Sequence, residues 1–247
     1  MDTNKPVALV TGATSRIGLG IARHLVQAGY HVILHSRSSV DAGRALAAEL
    51  VDATYLQADL ADDEQRGRLV GESIRVAGRM DVLVNNAGIS SVIPHADLQA
   101  ASAQVWREMF EVNAIAPFRL VAEAEPHLRA AAEDGRPAAV VNIASHAGVR
   151  PKGASIPYAA SKAALIHTTR LLALTLAPDI RVNAIAPGLV DTPLTAEWTD
   201  SHTLWRERAP MTRPAGVDDV AKTALALIES DYITGECVVL DGGLGLT

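Results

Sequence analysis

Short apolar runs rich in β-branched residues alternate along the chain with longer segments in which apolar positions recur every three or four residues. That alternation marks a parallel sheet covered by helices, because strands buried on both faces lose the polar alternation of a half-exposed strand. Strands are predicted near Val7 to Val10, Val32 to His35, Thr54 to Gln57, Val82 to Asn85, Ala139 to Ile143, Arg181 to Ala184 and Cys237 to Leu240. Helical spacing covers Ile17 to Ala28, Glu64 to Ala77, Ala103 to Leu128 and Pro157 to Ala177, with one more helix before the last strand. The stretch Thr192 to Pro210 has no clear period, and no repeat, linker or low-complexity tract appears elsewhere. The expectation is a single α/β domain over residues 1–247, doubly wound on a seven-stranded parallel sheet.

Candidate chemistry sits at two places on this frame. In IPYAASKAALIHTTRLLAL, Tyr158 and Lys162 fall four apart on one helix face. An ammonium beside a phenol favours the phenolate, so the tyrosine pKa is expected to fall from about 10 toward the working pH. Such a pair by itself also suits a solvated helix face. Ser145 follows the strand-like run AAVVNIA, at a strand's carboxyl end, where open α/β sheets bind ligands. Near the amino terminus, the strand-like PVALVT leads through TGATSRIG into an amphipathic helix. A strand, a glycine turn and a helix N-terminus together form an anion site, since free N–H groups and the helix dipole both face a phosphate.

In these motifs the chain resembles the short-chain dehydrogenase/reductase family, in its short single-domain branch, and is similar to its 3-oxoacyl-(acyl-carrier-protein) reductase-like members. The family's Thr-Gly-x-x-x-Gly-x-Gly turn is met by Thr11, Gly12 and Gly18, with Arg16 where the middle glycine usually stands. Asn85, Asn86, Ala87 and Gly88 match its Asn-Asn-Ala-Gly segment. Asn113 in EVNAIAPF, Ser145, the Tyr158/Lys162 pair and the Pro187-Gly188 turn with Asp191 and Thr192 follow in the family's order. The resemblance implies a Rossmann fold and hydride transfer between a nicotinamide and a carbonyl or secondary alcohol. It implies catalytic roles for Asn113, Ser145, Tyr158 and Lys162. Ser145 would hold the substrate oxygen and Tyr158 would exchange a proton with it. Lys162 would lower the phenol pKa and hold the nicotinamide ribose, and Asn113 would kink its helix to seat a water. Cofactor contacts are implied for Gly12, Ser15, Arg16, Ile17 and Gly18, for Ser36 and Arg37, for Asp59 and Leu60, for Asn86, Ala87 and Gly88, and for Tyr158 and Lys162. Past the sixth strand they are implied for Pro187, Gly188, Val190 and Thr192. Asp59 would hold the adenine amino group, or instead cap the helix that follows it. Asn85 would support the central strand.

Cofactor choice can be argued from charge. An acid after the second strand holds a ribose 2′-hydroxyl and repels a 2′-phosphate. Here HVILHSRS places Ser36 and Arg37 there, and no acid appears until Asp41. With Arg16 as a second cation, NADP(H) is favoured over NAD(H), although Arg37 alone also reads as a solvated loop residue. Losing the middle glycine restricts backbone approach to the diphosphate without abolishing it.

Composition narrows the partners. The 247 residues are 49% hydrophobic, enough for a full core, and a net charge of −6 with no basic cluster argues against nucleic acid. No segment is long and apolar enough to span a bilayer, no leader pattern opens the chain, and a cytoplasmic protein is expected. Cys237 in CVVL reads as a buried strand thiol. The eight histidines suggest no metal site: His31 and His35 lie four apart on a strand and read as a neutral or exposed pair. His146, next to Ser145, reads either as a substrate contact or as a solvent-facing loop residue. Thr192 to Pro210 is expected to be a lid, with Trp198 and Trp205 on one side of it if helical, or in a subunit interface. The expected substrate is a small carbonyl or alcohol. Asp179, where carrier-dependent reductases usually place basic residues, disfavours a carrier-borne one. A homotetramer or homodimer through the Asn113 and Tyr158 helices is implied by resemblance. Readings left open are an NAD-dependent alcohol dehydrogenase and a non-catalytic dinucleotide sensor.

Overall fold

The computed structural model describes residues 5–133 and 135–247. Seven parallel strands form one sheet: β1 (Val7–Val10), β2 (His31–Ser36), β3 (Ala53–Gln57), β4 (Val82–Asn85), β5 (Ala138–Ile143), β6 (Ile180–Pro187) and β7 (Cys237–Leu240). Their order is β3-β2-β1-β4-β5-β6-β7. The order reverses between β1 and β4, which pair through Ala8 with Val82 and Leu9 with Leu83. A crevice opens at the carboxyl ends on either side of that reversal, where every candidate motif lies.

Strand periodicity divides the core in two. Ala8 and Val10 of β1 face α1 (Arg16–Gln27), α2 (Val40–Leu50) and α8 (Val217–Glu229), whose Ile21, Leu25, Leu46, Val220 and Leu227 share one cluster. Val7 and Leu9 point the other way, into a cluster with Leu69, Leu120 and Leu176 of α3 (Asp63–Ala77), α5 (Ala116–Ala132) and α6 (Ile156–Leu176).

Two elements depart from the sequence expectation. The helix predicted over Ala103 to Leu128 is broken into α4 (Ala103–Phe110), a π turn (Glu111–Ile115) and α5. A π turn inserts one residue without ending the helix, so apolar spacing does not report it. The break falls at Asn113, which is fully buried. Thr192 to Pro210 contains α7 (Thr199–Arg208). Its sequence TDSHTLWRER lacks an apolar stripe, and the helix is held by single contacts: His202 Nε2 lies 3.0 Å from Thr195 O. Among the described residues no helix is long and apolar enough to cross a membrane, and no group of His, Cys, Asp or Glu could hold a metal.

Candidate active site

β5 ends at Ile143, and Ser145 follows in extended backbone with its Oγ accepting from Ala147 N at 3.2 Å. α6 begins beside it: Ser155 caps the helix by accepting from Tyr158 N at 3.4 Å, which puts Tyr158 in the first turn and Lys162 one turn later. Lys162 is 4% exposed, and its Nζ donates to Ile143 O at 2.9 Å. A side chain added at Gly88 would meet Asn113 Oδ1 at 3.0 Å and Lys162 Nζ at 3.3 Å, so the end of β4, the π turn and α6 converge at one point. Asn113 Oδ1 accepts from Ile89 N at 2.9 Å, and its Nδ2 donates to Ile89 O at 2.9 Å and to Ser161 Oγ at 3.1 Å. Ser161 in turn donates to Tyr158 O at 2.7 Å, so Asn113 steadies the turn that carries the phenol.

The protonation equilibria differ from the expected phenolate. Burial pushes the Tyr158 phenol above its ordinary value, and hydrogen bonding by Ser145 pulls it only partly back. Lys162 is not among the groups that lower it. Burial holds the lysine itself down to about 8. Desolvation therefore decides the phenol's state, and it stays protonated at neutral pH.

The phosphate turn is held from below by the β4 segment. Thr11 Oγ1 accepts from Asn86 N and Ala87 N, both at 3.0 Å, while Asn86 Nδ2 donates to Thr11 O at 2.9 Å and Gly12 O at 3.1 Å. Asn86 and Ala87 thus shape the turn that α1 leaves. Gly12 takes φ +64°, and any side chain on Gly18 would strike Gly12 O. Arg16 takes φ +53°, the left-handed backbone a glycine adopts freely, at about 1 kcal/mol for an L residue. Ser15 stands at the N-cap of α1 without a side-chain cap bond, the first turn carries no acid, and Ile17 packs on the core below. Those N–H groups remain available to an anion. Arg16 lines a cavity of about 640 Å³ with Pro193, Val217 and Asp218. Arg37 is not in that lining, so the two cations expected to act together open onto different surroundings.

The residues expected at the β2 and β3 ends sit in different surroundings. Ser36 is buried, its hydroxyl 2.8 Å from Tyr55 Oη, because its place in the strand turns it toward β3. Arg37 is exposed. Asp59 does not cap α3: Asp62 does, accepting from Gln65 N at 3.0 Å, while Asp59 Oδ1 accepts from Ala61 N at 2.9 Å. Leu60 lies in the core, and its carbonyl accepts from the buried Arg66. His31 and His35 are both buried, and neither is exposed as one sequence reading had it.

Beyond β6, Pro187 closes the strand, and Val190 forms a parallel bridge with Ala215. Thr195 Oγ1 donates to Val190 O at 2.7 Å and accepts from Thr192 N at 3.1 Å, bracing the turn with Thr192 buried. α7 lies over this turn: Trp205 Cζ2 comes within 2.7 Å of where a side chain on Gly188 would begin. Trp198 stands at the N-cap of α7, seven positions before Trp205. His146 is buried, edge-on to Trp205 at 6.3 Å between ring centres, with its Nε2 3.3 Å from Asp241 Oδ2. It therefore does not face solvent.

A family model described as enoyl-(acyl carrier protein) reductase matches residues 12–245. The chain belongs to the short-chain dehydrogenase/reductase family. It is 44% identical over 98% of its length to a Streptomyces violaceoruber protein assigned as ketoacyl reductase 2 of the granaticin polyketide synthase, covering 96% of that protein. A crystal structure of 3-ketoacyl-(acyl-carrier-protein) reductase from Brucella melitensis complexed with NADH superposes with TM-score 0.89 at 30% identity, covering 97% of this chain and 98% of that one. The Pseudomonas aeruginosa RhlG/NADP active-site complex superposes with TM-score 0.87 at 32% identity, covering 97% and 96%. This short-chain dehydrogenase/reductase is an oxidoreductase of the alcohol and ketone chemistry its relatives carry out. Similarity of the same degree to an NADH complex and to an NADP complex leaves the choice of dinucleotide to this chain's own residues.

Motif reading passed over residues that the short-chain dehydrogenase/reductase fold uses here for support. Ser161 and Thr195 look like any helix or loop hydroxyl in sequence. Asn142, which accepts from Asn85 Nδ2 at 2.9 Å and donates to Thr169 Oγ1 at 2.9 Å, ties β4 and β5 to α6. Its one signal is a polar residue inside AAVVNI, an apolar run whose other members are buried.

Proposed function

We propose that the protein is an NADP(H)-dependent ketoreductase acting on a small, mainly apolar carbonyl compound through Ser145, Tyr158 and Lys162. The observation that carries this reading is the convergence of a protonated, half-buried phenol and a buried Lys162 ammonium beside Ser145 at the end of β5. A bound nicotinamide dinucleotide supplies the hydride. The uncapped start of α1 fits its diphosphate, and the exposed Arg37 suits a 2′-phosphate through charge-assisted bonds. Ser145 Oγ holds the carbonyl oxygen and polarises it. Tyr158 Oη donates its proton to that oxygen as negative charge grows there, and Lys162 Nζ, still charged at pH 7, stabilises the phenolate left behind. A phenol kept protonated by burial is ready to act as an acid, which favours reduction over alcohol oxidation with NAD.

Support for a small substrate comes from the end of α6, whose last turn carries no basic residue for an acidic carrier, with Asp179 beyond it bonded to Arg129. Assembly as a dimer or tetramer through the helices of Asn113 and Tyr158 is supported by the exposed Ile115, Phe118, Leu171 and Leu174 on those helices. A cytoplasmic location agrees with this substrate and cofactor. The test is dinucleotide consumption with a panel of cyclic and acyclic ketones and a 3-oxoacyl thioester, each with NADPH and NADH. Oxidation of NADPH by a free ketone is the expected result. No consumption of either dinucleotide with any ketone would leave a sensor as the better reading, and turnover of the thioester alone would restore the carrier-borne substrate.

A further inference from the structure

The phosphate turn after β1 and the loop after β3 are joined by a side chain that the proton relay does not use. His35, next to last in β2, is 2% exposed. Its Nδ1 lies 3.3 Å from Gly12 N and its Nε2 3.0 Å from Ala58 O, and its own carbonyl accepts from Ala13 N at 2.9 Å. A backbone N–H can only donate and a carbonyl can only accept. The ring must therefore keep its proton on Nε2 and its lone pair on Nδ1. Gly12 opens the turn from which α1 starts, and Ala58 directly precedes Asp59 and Leu60. One neutral imidazole thus sets the distance between two segments of the crevice that follow β1 and β3, the two strands flanking β2.

We propose that His35 is a positioning residue for the adenosine half of the dinucleotide, holding the phosphate turn and the loop after β3 at the spacing that half requires. The inference rests on the dinucleotide reading above. It does not depend on which substrate is reduced or on which dinucleotide is preferred, because both cofactors share the adenosine diphosphate unit. Protonating the ring would set a second N–H against Gly12 N–H, donor to donor, and release the turn. Burial keeps that from happening near neutrality by holding the ring at about 4. Asp59, beyond β3, is the charged group acting on the ring and opposes the shift, while Gly12 and Ala13 on its other side carry no charge.

The experiment measures calorimetric binding of ADP-ribose and 2′-phospho-ADP-ribose to the full chain and to His35→Ala, His35→Asn and His35→Gln. An asparagine Oδ1 can stand near the place of Nδ1 and accept from Gly12, and a glutamine Nε2 can donate to Ala58, so each conservative variant keeps one of the two bonds. His35→Ala is expected to weaken both fragments about tenfold, the effect of one lost hydrogen bond. Cofactor KM should rise with it while kcat at saturating cofactor falls less than twofold, and His35→Asn should recover part of the affinity. Affinity of the unmodified chain should fall as pH drops from 6 to 4, and that of His35→Gln should fall less. Unchanged fragment affinity in a folded His35→Ala overturns the proposal, as does an equal loss of nicotinamide mononucleotide binding. If His35→Ala does not fold, the same readings on His35→Asn and His35→Gln decide the matter. Fragment binding needs no turnover, so a protein that reduces no ketone but loses ADP-ribose in these variants separates failure of the ketoreductase reading from failure of this one.

Discussion

The two halves of the crevice are built differently. Around β1, β2 and β3, side chains bond backbone: Thr11 and Asn86 clasp the phosphate turn, and His35 joins it to the next loop. Around β5, β6 and α7, such bonds from Lys162, Thr195 and His202 are joined by aromatic contact. Trp205 rests on Gly188 and meets the edge of His146, and α7 itself is polar and largely exposed. Directional bonds to backbone fix a surface that, in the proposed function, receives the same diphosphate in every turnover. Contacts between a few rings can be broken and remade as a substrate enters.

Each half also buries a titratable group whose pKa is strongly lowered, with opposite consequences. His35 is held at about 4 and is neutral at pH 7, so its burial costs little there. Lys162 is held at about 8 and still carries its charge at pH 7, so the fold bears the cost of desolvating it. In the proposed mechanism, the stability given up at Lys162 maintains a cation beside the reacting oxygen.

The sharpest break of this contrast is Tyr158→Phe. It should lower turnover by 10²-fold or more, roughly the worth of a positioned proton donor, with cofactor binding nearly unchanged. Retention of more than about a tenth of the rate would assign less than ~1.4 kcal/mol to the hydroxyl and end the proposed mechanism. Lys162→Met should abolish turnover and yet raise stability at pH 7 by up to about 3 kcal/mol, the gap between about 8 and 10.5 in pKa.

The signs of the pH effects differ. The unfolded lysine binds its proton more tightly than the folded one, so the unmodified protein should gain stability as pH rises from 8 to 10.5, and Lys162→Met should not. His35 acts at the other end: its contribution is lost as pH falls from 6.5 to about 4, by about 3 kcal/mol in all. Denaturant unfolding at pH 5, 7 and 10 checks both, and a destabilised Lys162→Met at pH 7 would show that the cation is not a burden.

Smaller effects sharpen the comparison further. Arg37→Asp should reverse the order of kcat/KM for NADPH and NADH, an expected change of about tenfold for one charge-assisted contact, without altering the proton relay. Equal values for the two cofactors in the unmodified enzyme would remove the argument from Arg37. Trp205→Ala should raise ketone KM severalfold and leave NADPH affinity unchanged, in a protein shown by sedimentation to keep its assembly. A weakened oligomer with unaltered kinetics would instead assign the indole to a subunit contact.

All seven strands were legible in the sequence as short apolar runs, unbroken in VALV because both faces are buried, while β3 and β7 at the sheet edges are only partly buried. The i and i+4 spacing of Tyr158 and Lys162 was legible because helix geometry is local. The π turn at Asn113 was not, since apolar spacing continues through one inserted residue. α7 was missed because what holds it lies elsewhere, at Gly188 and Thr195.

What the sequence determined by itself is the order of elements and the identity of the reacting groups, for these follow from local period and from residue type. Their protonation was decided only by the tertiary structure. The same Tyr-x-x-x-Lys spacing that suggests a phenolate produces a protonated phenol in the fold, because desolvation depends on everything packed around the ring and raises its pKa. His35 shows the same limit from the other side. On a strand it reads as a stray histidine, and only the pairing of β1, β2 and β3 brings Gly12 and Ala58 to its two nitrogens.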